Sequence, residues 1–397
     1  MLGLEGGGLP EKPDEMVVTP WRVEGEIDYE KLIRQFGTQP IGEEILEKFR
    51  RYTGGLHYQL RRRIFFSHRD LDWIFRKLEE GEKFVLYTGR GPSGPVHLGH
   101  IVPWIFTKHL QDSFQAKLYF QLTDDEKYLY HEEFSLEFTT RTAYDNALDL
   151  IALGFKPELT RIIVDAVHIE ALYHLAIKVA KHITGSTIKA VFGLKDSDNI
   201  GLTFFPAVQA VPCFLESVVQ GRNVPCLIPA AIDQDPYWRV TRDVAPKLGF
   251  YKPAQIHSRF MPGLGRGGKM SASQPETCIF LTDPPGEARR KIMNAFTGGQ
   301  PTAEEQRRLG GNPEICSVYQ YYAFIFEEDD GKLREIWENC RSGAVLCGDC
   351  KLKLADRVAG FLERHQEKRE QMRDRLEEFL FSEEERKLIW SRGLPKP

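Results

Sequence analysis

Between Lys83 and His257 the chain alternates short, apolar, β-rich runs with longer helical stretches, and this alternation restricts the fold more than any other feature of its 397 residues. The runs are Phe84 to Tyr87, Leu118 to Leu122, Arg161 to Val164, Pro225 to Pro229 and Gln255 to His257. Strands that alternate with helices make a parallel sheet covered on both faces. In such a sheet, ligands sit beyond the carboxyl ends of the strands. Tyr87, Gln121 and the segment after Ile228 emerge there, so the candidate site residues converge on one edge.

The first run leads into Gly89-Arg90-Gly91-Pro92-Ser93-Gly94-Pro95-Val96-His97-Leu98-Gly99-His100. Leu98, Ile101, Val102, Ile105 and Phe106 then follow at helical spacing. A glycine-proline turn between strand and helix lets a ligand approach the backbone closely, and the unpaired N–H groups of the new helix favour a phosphate. His97 and His100 supply further donors. Pro103 does not fit this helix, because it removes a backbone donor and clashes with the preceding turn. Either the helix is kinked there or its start is irregular. Far downstream, Met261 to Lys269 carries four glycines in its last seven residues. The pattern predicts a mobile loop able to close over a ligand, with Lys269 and, by proximity, Arg266 near its end.

A hydrophobic content of 42% over 397 residues supports a large core and two or three domains. The formal net charge of -4 argues against a surface built throughout for polyphosphate, so nucleic acid binding must use local patches. Arg61-Arg62-Arg63, Arg289-Arg290-Lys291, Arg307-Arg308 and the stretch from Arg364 to Arg375 are candidates, although such runs are commonly solvated helix faces. No apolar run reaches signal-peptide or membrane-spanning length, which makes the cytoplasm the expected location. Seven scattered cysteines do not suggest a disulfide framework. Cys340, Cys347 and Cys350 raise a zinc question. A structural zinc needs four ligands, and only His365 lies near enough in sequence to complete the set, so no metal site is expected.

Residues 1–16 read as a tail, either disordered or derived from expression. Residues 17–82 read as an N-terminal appendage, with an extended hairpin at Val17 to Val23 and helical patterns from Tyr29 to Phe75. Residues 83–285 carry the α/β pattern. Asp283-Pro284-Pro285-Gly286 marks a boundary, after which 286–397 becomes amphipathic and helical except for a strand-like run near Tyr319 to Phe326.

His97-Leu98-Gly99-His100 with Lys269-Met270-Ser271-Ala272-Ser273 resembles the two signatures of class I aminoacyl-tRNA synthetases. From about Val17 to beyond Ala344 the chain is most similar to the tryptophanyl-tRNA synthetases of the eukaryotic and archaeal type. This resemblance implies a Rossmann-type catalytic domain at 83–285, a helical anticodon-binding domain at 286–397 whose end packs back on it, and a homodimer formed through an insert between roughly Phe134 and Gln220. It implies ATP with Mg2+, L-tryptophan and tRNA(Trp) as partners, and no membrane.

By the same resemblance His97, His100 and Lys269 are catalytic. Arg90, Gly91, Gly99, Asp233, Met270, Ser271 and Ser273 join them around ATP. Tyr87 and Gln121 meet the indole nitrogen, while Glu126, Gln209 and Gln234 surround the ammonium and carboxylate. In tyrosyl relatives the third residue after the matching glutamine is an aspartate that accepts the phenol proton; here it is Pro212. In the relatives the turn at Ser342-Gly343-Ala344 lacks the neighbouring cysteines. Several of these residues have ordinary alternatives. Asp233 and Asp235 after a strand suit a helix cap, and Thr123 with Glu126 suits a capping box. A tyrosine at a strand end is commonly core, and a lone glutamine commonly surface.

Overall fold

In the computed structural model, residues 16–18, 23–24 and 27–393 are described. Most of the expected tail lies outside them. Strands β1 (Val17–Val18) and β2 (Val23–Glu24) pair antiparallel as the expected hairpin. The main sheet has seven strands: β3 (Gln39–Pro40), β4 (Phe65–Arg69), β5 (Val85–Arg90), β6 (Leu118–Leu122), β7 (Thr160–Val164), β8 (Cys226–Ala231) and β9 (Ala254–Ser258), in the order β3-β4-β9-β8-β5-β6-β7.

All five predicted runs are strands of this sheet, and β9, β8, β5, β6 and β7 run parallel to one another. The chain winds from β5 outward through β6 and β7, then returns to place β8 on the other side of β5. That reversal opens a crevice at the carboxyl ends of β5 and β8. Both faces are buried, which is why the runs are apolar without a polar alternation. Leu118, Phe120 and Leu122 enter the largest core cluster, whereas Tyr119 packs on the opposite face with Ile163 and Leu215.

The segment 17–82 departs from the helical expectation. Phe65–Arg69 is a strand paired antiparallel with β9, and Gln39–Pro40 extends the sheet beyond it. With only Phe65 and Phe66 apolar, this stretch carries too little periodicity to be separated from the helices on either side. The run Tyr319 to Phe326 errs the other way. Ser317–Tyr321 is α-helical and Tyr322–Phe326 continues as a π-turn, because its aromatic side chains pack against the helix Cys347–Gln371.

The helix Leu98–Phe114 buries Leu98, Ile101, Val102, Phe106 and Leu110 against the sheet and runs through Pro103 without a break. Pro103 removes the donor that the Gly99 carbonyl would otherwise meet. Gly99 and Pro103 both line the crevice.

Beyond Pro285 the chain is helical, with Pro285–Met293, Asp330–Arg341 and Cys347–Gln371 as its main elements. It then returns to the sheet. The Ile162 N–H donates to the Phe379 carbonyl at 2.7 Å and the Phe381 N–H to the Ile162 carbonyl at 3.1 Å, so this segment lies along β7. The helix Glu383–Gly393 follows and buries Ile389 beside Leu172 and Leu175.

Most of the arginine runs serve this packing. Arg61 and Arg62 both pair with Asp330, joining the N-terminal region to the helical domain. Arg290 pairs with Glu276 and Glu287, Lys291 with Asp283, and Arg369 with Asp145 and Asp149. Among the described residues no single helix is long and apolar enough to cross a membrane.

Candidate active site

A cleft of about 360 Å³ occupies the crevice, lined from β5 by Thr88 to Arg90, from β6 by Gln121, and from β8 by Ala230 and Ala231. This is within the usual size of a small-molecule site. His97, His100, Arg90, Gly91, Gly99, Asp233, Lys269, Met270 and Ser271 all line it, as do Gln121, Glu126, Gln209 and Gln234. Two expected residues do not. Ser273 stands outside, 2.9 Å from the Ser271 hydroxyl. Tyr87 lies behind Gln121, fully buried.

The two signature segments meet through the helix start. The Gly99 N–H faces the Met270 thioether at 3.3 Å, and His97 forms an isolated bridge with Phe280. The Leu98 N–H is already bound to the Ile279 carbonyl at 3.0 Å, so this helix start offers fewer open donors than the sequence suggests. Gly99 still holds a weak sulfur acceptor that a phosphate oxygen can replace. A Cβ at Gly99 would stand 3.1 Å from the His97 ring, so the close packing there uses glycine.

The two histidine rings stack with centroids 3.5 Å apart. The His97 N–H donates to His100 Nδ1 at 3.1 Å, which leaves the proton of a neutral His100 on Nε2. Burial first, then the charges of Arg90 and Lys269, push the His97 ring down to about 3. Burial, Arg90 and His97 push His100 in the same direction. Both rings are therefore neutral near pH 7 and His100 presents an N–H donor.

Arg90 is buried and its guanidinium is largely engaged. It donates to Asn146 Oδ1 at 2.5 Å and to the carbonyls of Gly94 and Pro95 at 3.0 Å, holding the glycine-proline turn in shape. Burial lowers its pKa to about 10. Gly91 makes room in turn, because a Cβ there would overlap Lys127 and stand 2.9 Å from Glu126 Oε2.

Lys269 approaches from the downstream loop, its Nζ 3.6 Å from Asp233 Oδ2. The loop is better anchored than its glycines suggest. Met261, Leu264 and Met270 are buried, the Met270 N–H donates to the Met261 carbonyl at 2.8 Å, and only Arg266 to Gly268 form an exposed tip. Arg266 lies over the Phe296 ring rather than in the cleft. Asp233 is not a helix cap; burial pushes its carboxyl up, Lys269 draws it down, and its buried Oδ1 has no partner. Asp235 is structural instead, paired with Arg69 at 2.7 Å and with Arg239 at 3.3 Å.

At the floor of the cleft the Tyr87 hydroxyl lies 2.6 Å from Gln121 Oε1 and 3.0 Å from the Gln209 carbonyl. One phenolic proton can satisfy only one of these acceptors. Behind Gln121, its Nε2 lies 2.9 Å from both oxygens of the fully buried Asp165. Burial and then repulsion from Asp125 raise the Asp165 carboxyl, while burial and then repulsion from Asp124 raise Asp125 to about 7, a rise that its hydrogen bond with Asp165 partly offsets. Two buried carboxyls in contact without a cation share a proton. Thr123 also differs from its capping reading: its hydroxyl donates to Glu126 Oε2 at 2.9 Å, fixing that carboxylate at the cleft wall. Gln209 Oε1 is a buried acceptor with no partner.

Sequence reasoning missed Asp165, Lys127, Tyr237, Trp238, Arg259 and Phe260. The last two follow β9 directly and line the cleft, so the strand-end rule applied to that strand would have found them. Tyr237 and Trp238 sit one turn beyond Gln234, in the helix Asp235–Val244. Asp165 follows β7 directly, so the same rule reaches it.

Residues 79–363 match the family model described as tRNA synthetases class I (W and Y). The chain is 50% identical over 369 residues to a tryptophan–tRNA ligase of Pyrobaculum calidifontis, covering 93% of this chain and 98% of the relative. It is 50% identical over 387 residues to that of Thermococcus kodakarensis, covering 97% and 99%. The solved tryptophanyl-tRNA synthetase of Plasmodium falciparum superposes with a TM-score of 0.82 at 39% identity, covering 92% of this chain and 98% of that one. With both signature segments on one nucleotide-sized cleft at the sheet's switch point, the chain belongs to the class I tRNA synthetases of the tryptophan and tyrosine group.

Proposed function

We propose that this cleft activates L-tryptophan with ATP and passes the tryptophanyl group to the terminal adenosine of tRNA(Trp) for protein synthesis. The observation that carries the choice of amino acid is the floor. Gln121, held by the Tyr87 hydroxyl on one side and by a carboxyl pair sharing a proton on the other, offers an acceptor to an indole N–H, and by the resemblance Pro212 replaces the aspartate that receives the phenol in tyrosyl relatives. A ligand lacking the N–H leaves a buried acceptor unpaired, which rejects phenylalanine without editing.

In activation, a tryptophan carboxylate oxygen bonds to the α-phosphorus as the bond to the bridging oxygen breaks and pyrophosphate leaves. No protein nucleophile is needed; positioning and fixed charge do the catalysis. His100 Nε2–H and Lys269 face the phosphates, with His97 holding the His100 ring through its backbone N–H. The bare Asp233 Oδ1 suits a ribose hydroxyl, and Gln209 Oε1 with Glu126 suits the ammonium. Lys269 exchanges Asp233 for the departing pyrophosphate. Magnesium would accompany ATP and offset the phosphate charge, since among the described residues no three ligating side chains are grouped to hold it.

The helical region 286–397 reads the anticodon, where single-stranded bases are splayed out for recognition. Among the described residues Arg307, Arg308 and Arg364 make no ion pair, whereas Arg290, Lys291 and Arg369 do. The insert between 134 and 220 forms a homodimer, supported by the exposure of Tyr173, Ile177 and, at 86%, Ile200. A cytoplasmic location follows from the activity.

Exchange of labelled pyrophosphate into ATP, run with each of the twenty amino acids and no tRNA, tests the reading. Exchange with tryptophan alone supports it. Exchange with tyrosine overturns the Pro212 argument, and no exchange by folded protein with Mg2+ overturns the activity.

A further inference from the structure

Gln366 stands on the helix Cys347–Gln371, in the helical region, yet its side chain is bound to the frame of the cleft. Its Nε2 carries two N–H groups and both are used: one donates to the Leu281 carbonyl and one to the Asp283 carbonyl, each at 2.9 Å. Leu281 ends a short strip that is joined backbone to backbone with the opening of the signature helix. The Leu281 N–H donates to the Val96 carbonyl at 2.8 Å, the Leu98 N–H donates to the Ile279 carbonyl at 3.0 Å, and His97 bridges Phe280 between them. A clamp on the end of this strip fixes where His97 and Leu98 lie. Leu281 is fully buried, so loss of the clamp leaves its carbonyl without water to replace the donor.

The same turn of the helix reaches the cleft by a second route. His365 Nε2 lies 3.0 Å from Asp149 Oδ1, and Arg369 pairs with that oxygen at 3.1 Å while donating to the Asp145 carbonyl at 3.2 Å. Asp145 and Asp149 flank Asn146 within about one turn of the helix Leu136–Ala152. Asn146 is fully buried; it accepts from Arg90 at 2.5 Å and donates to the Gly94 carbonyl at 3.2 Å, and so grips the glycine-proline turn directly. Buried polar networks of this kind are rigid, because a displaced partner leaves a group with neither protein nor water to satisfy it. The two pieces of backbone that face the phosphates are thus held from behind by one turn that does not itself line the cleft.

We propose, on the reading that this cleft activates tryptophan with ATP, that His365, Gln366 and Arg369 are positioning residues for ATP, through which the helical region sets the geometry of the phosphate-facing backbone. The tryptophan floor is built separately. Tyr87 and Gln121 stand on β5 and β6 and are held by the Gln209 carbonyl and Asp165, outside this network. A misplacement of about 1 Å at a reacting group costs up to about a hundredfold in rate, so disturbing the turn should fall on ATP and spare tryptophan.

The test is pyrophosphate exchange by the full chain, measured against ATP at saturating tryptophan and against tryptophan at saturating ATP. Gln366→Met keeps the length and removes both donors. It should lower kcat/KM for ATP about tenfold to a hundredfold, with KM for tryptophan within about twofold of the parent. Gln366→Lys restores N–H donors at similar reach and should recover ATP use to within about threefold of the parent. Arg369→Gln, which weakens the route through Asp149, should show the same selective loss and decides the matter if Gln366→Met does not fold. A merely structural role would lower Tm with no split between the substrates. Folded Gln366→Met with ATP constants within about twofold of the parent, an equal loss on tryptophan, or no recovery in Gln366→Lys overturns the proposal. Folded parent chain without exchange overturns the activation itself, and the parent alone tells that failure from this one.

Discussion

Asp165→Asn tests whether a buried carboxyl sets the direction of the Gln121 amide. Both Asp165 oxygens lie 2.9 Å from Gln121 Nε2, so the nitrogen faces Asp165 and Oε1 faces the Tyr87 hydroxyl at 2.6 Å. Asparagine has nearly the same size but offers a donor as well as an acceptor. The Tyr87 hydroxyl already has a second acceptor in reach, the Gln209 carbonyl at 3.0 Å, so a flipped Gln121 meets little resistance at that end. The flip turns a donor toward the indole N–H. What is lost is the preference given by an ordinary hydrogen bond, about 1 kcal/mol. That corresponds to about fivefold weaker tryptophan binding. Pyrophosphate exchange against tryptophan concentration should show the rise in KM with kcat within about threefold, and discrimination against phenylalanine should fall in parallel. A purely structural role would lower Tm and leave KM alone. A folded variant with KM within about twofold of the parent refutes the reasoning.

Lys269→Ala should slow activation by about a hundredfold to a thousandfold, the usual loss for one charge contact in the transition state, with tryptophan affinity little changed; an equal loss of affinity would make the loop structural. Gly89→Ala places a Cβ into the Gln121 carbonyl oxygen of the adjacent strand, backbone that cannot move aside, and a Tm no lower than the parent's would contradict the packing. Stability should fall as pH drops below about 6.5. Burial lowers His57, His68, His97, His100, His109, His168, His174 and His257, so in this range the unfolded chain binds protons that the folded chain refuses. Asp124, Asp125, Asp165 and Asp233 are raised and act in the opposite sense, but they are fewer. Urea unfolding at pH 7 and pH 5 checks the sign, and a more stable protein at pH 5 would show the carboxyls dominate.

The central sheet was legible because its strands are buried on both faces and bounded by turn residues, a pattern that five residues suffice to display. The phosphate-facing turn and Lys269 were legible because their chemistry needs particular residues within a few positions of each other. Phe65–Arg69 escaped because only its first two residues are apolar and it joins the sheet's far side antiparallel, where no strand–helix–strand alternation marks it. The Tyr319 to Phe326 segment misled because aromatic content alone does not separate a strand from a buried helix. Tertiary structure decided what depends on groups distant in sequence. Asp165 reaches Gln121 from the next strand, and Arg369 is neutralised by the buried Asp149. Both rest on burial: removal from water fixes a proton or a charge to its neighbour, and no local spacing encodes which neighbour that is.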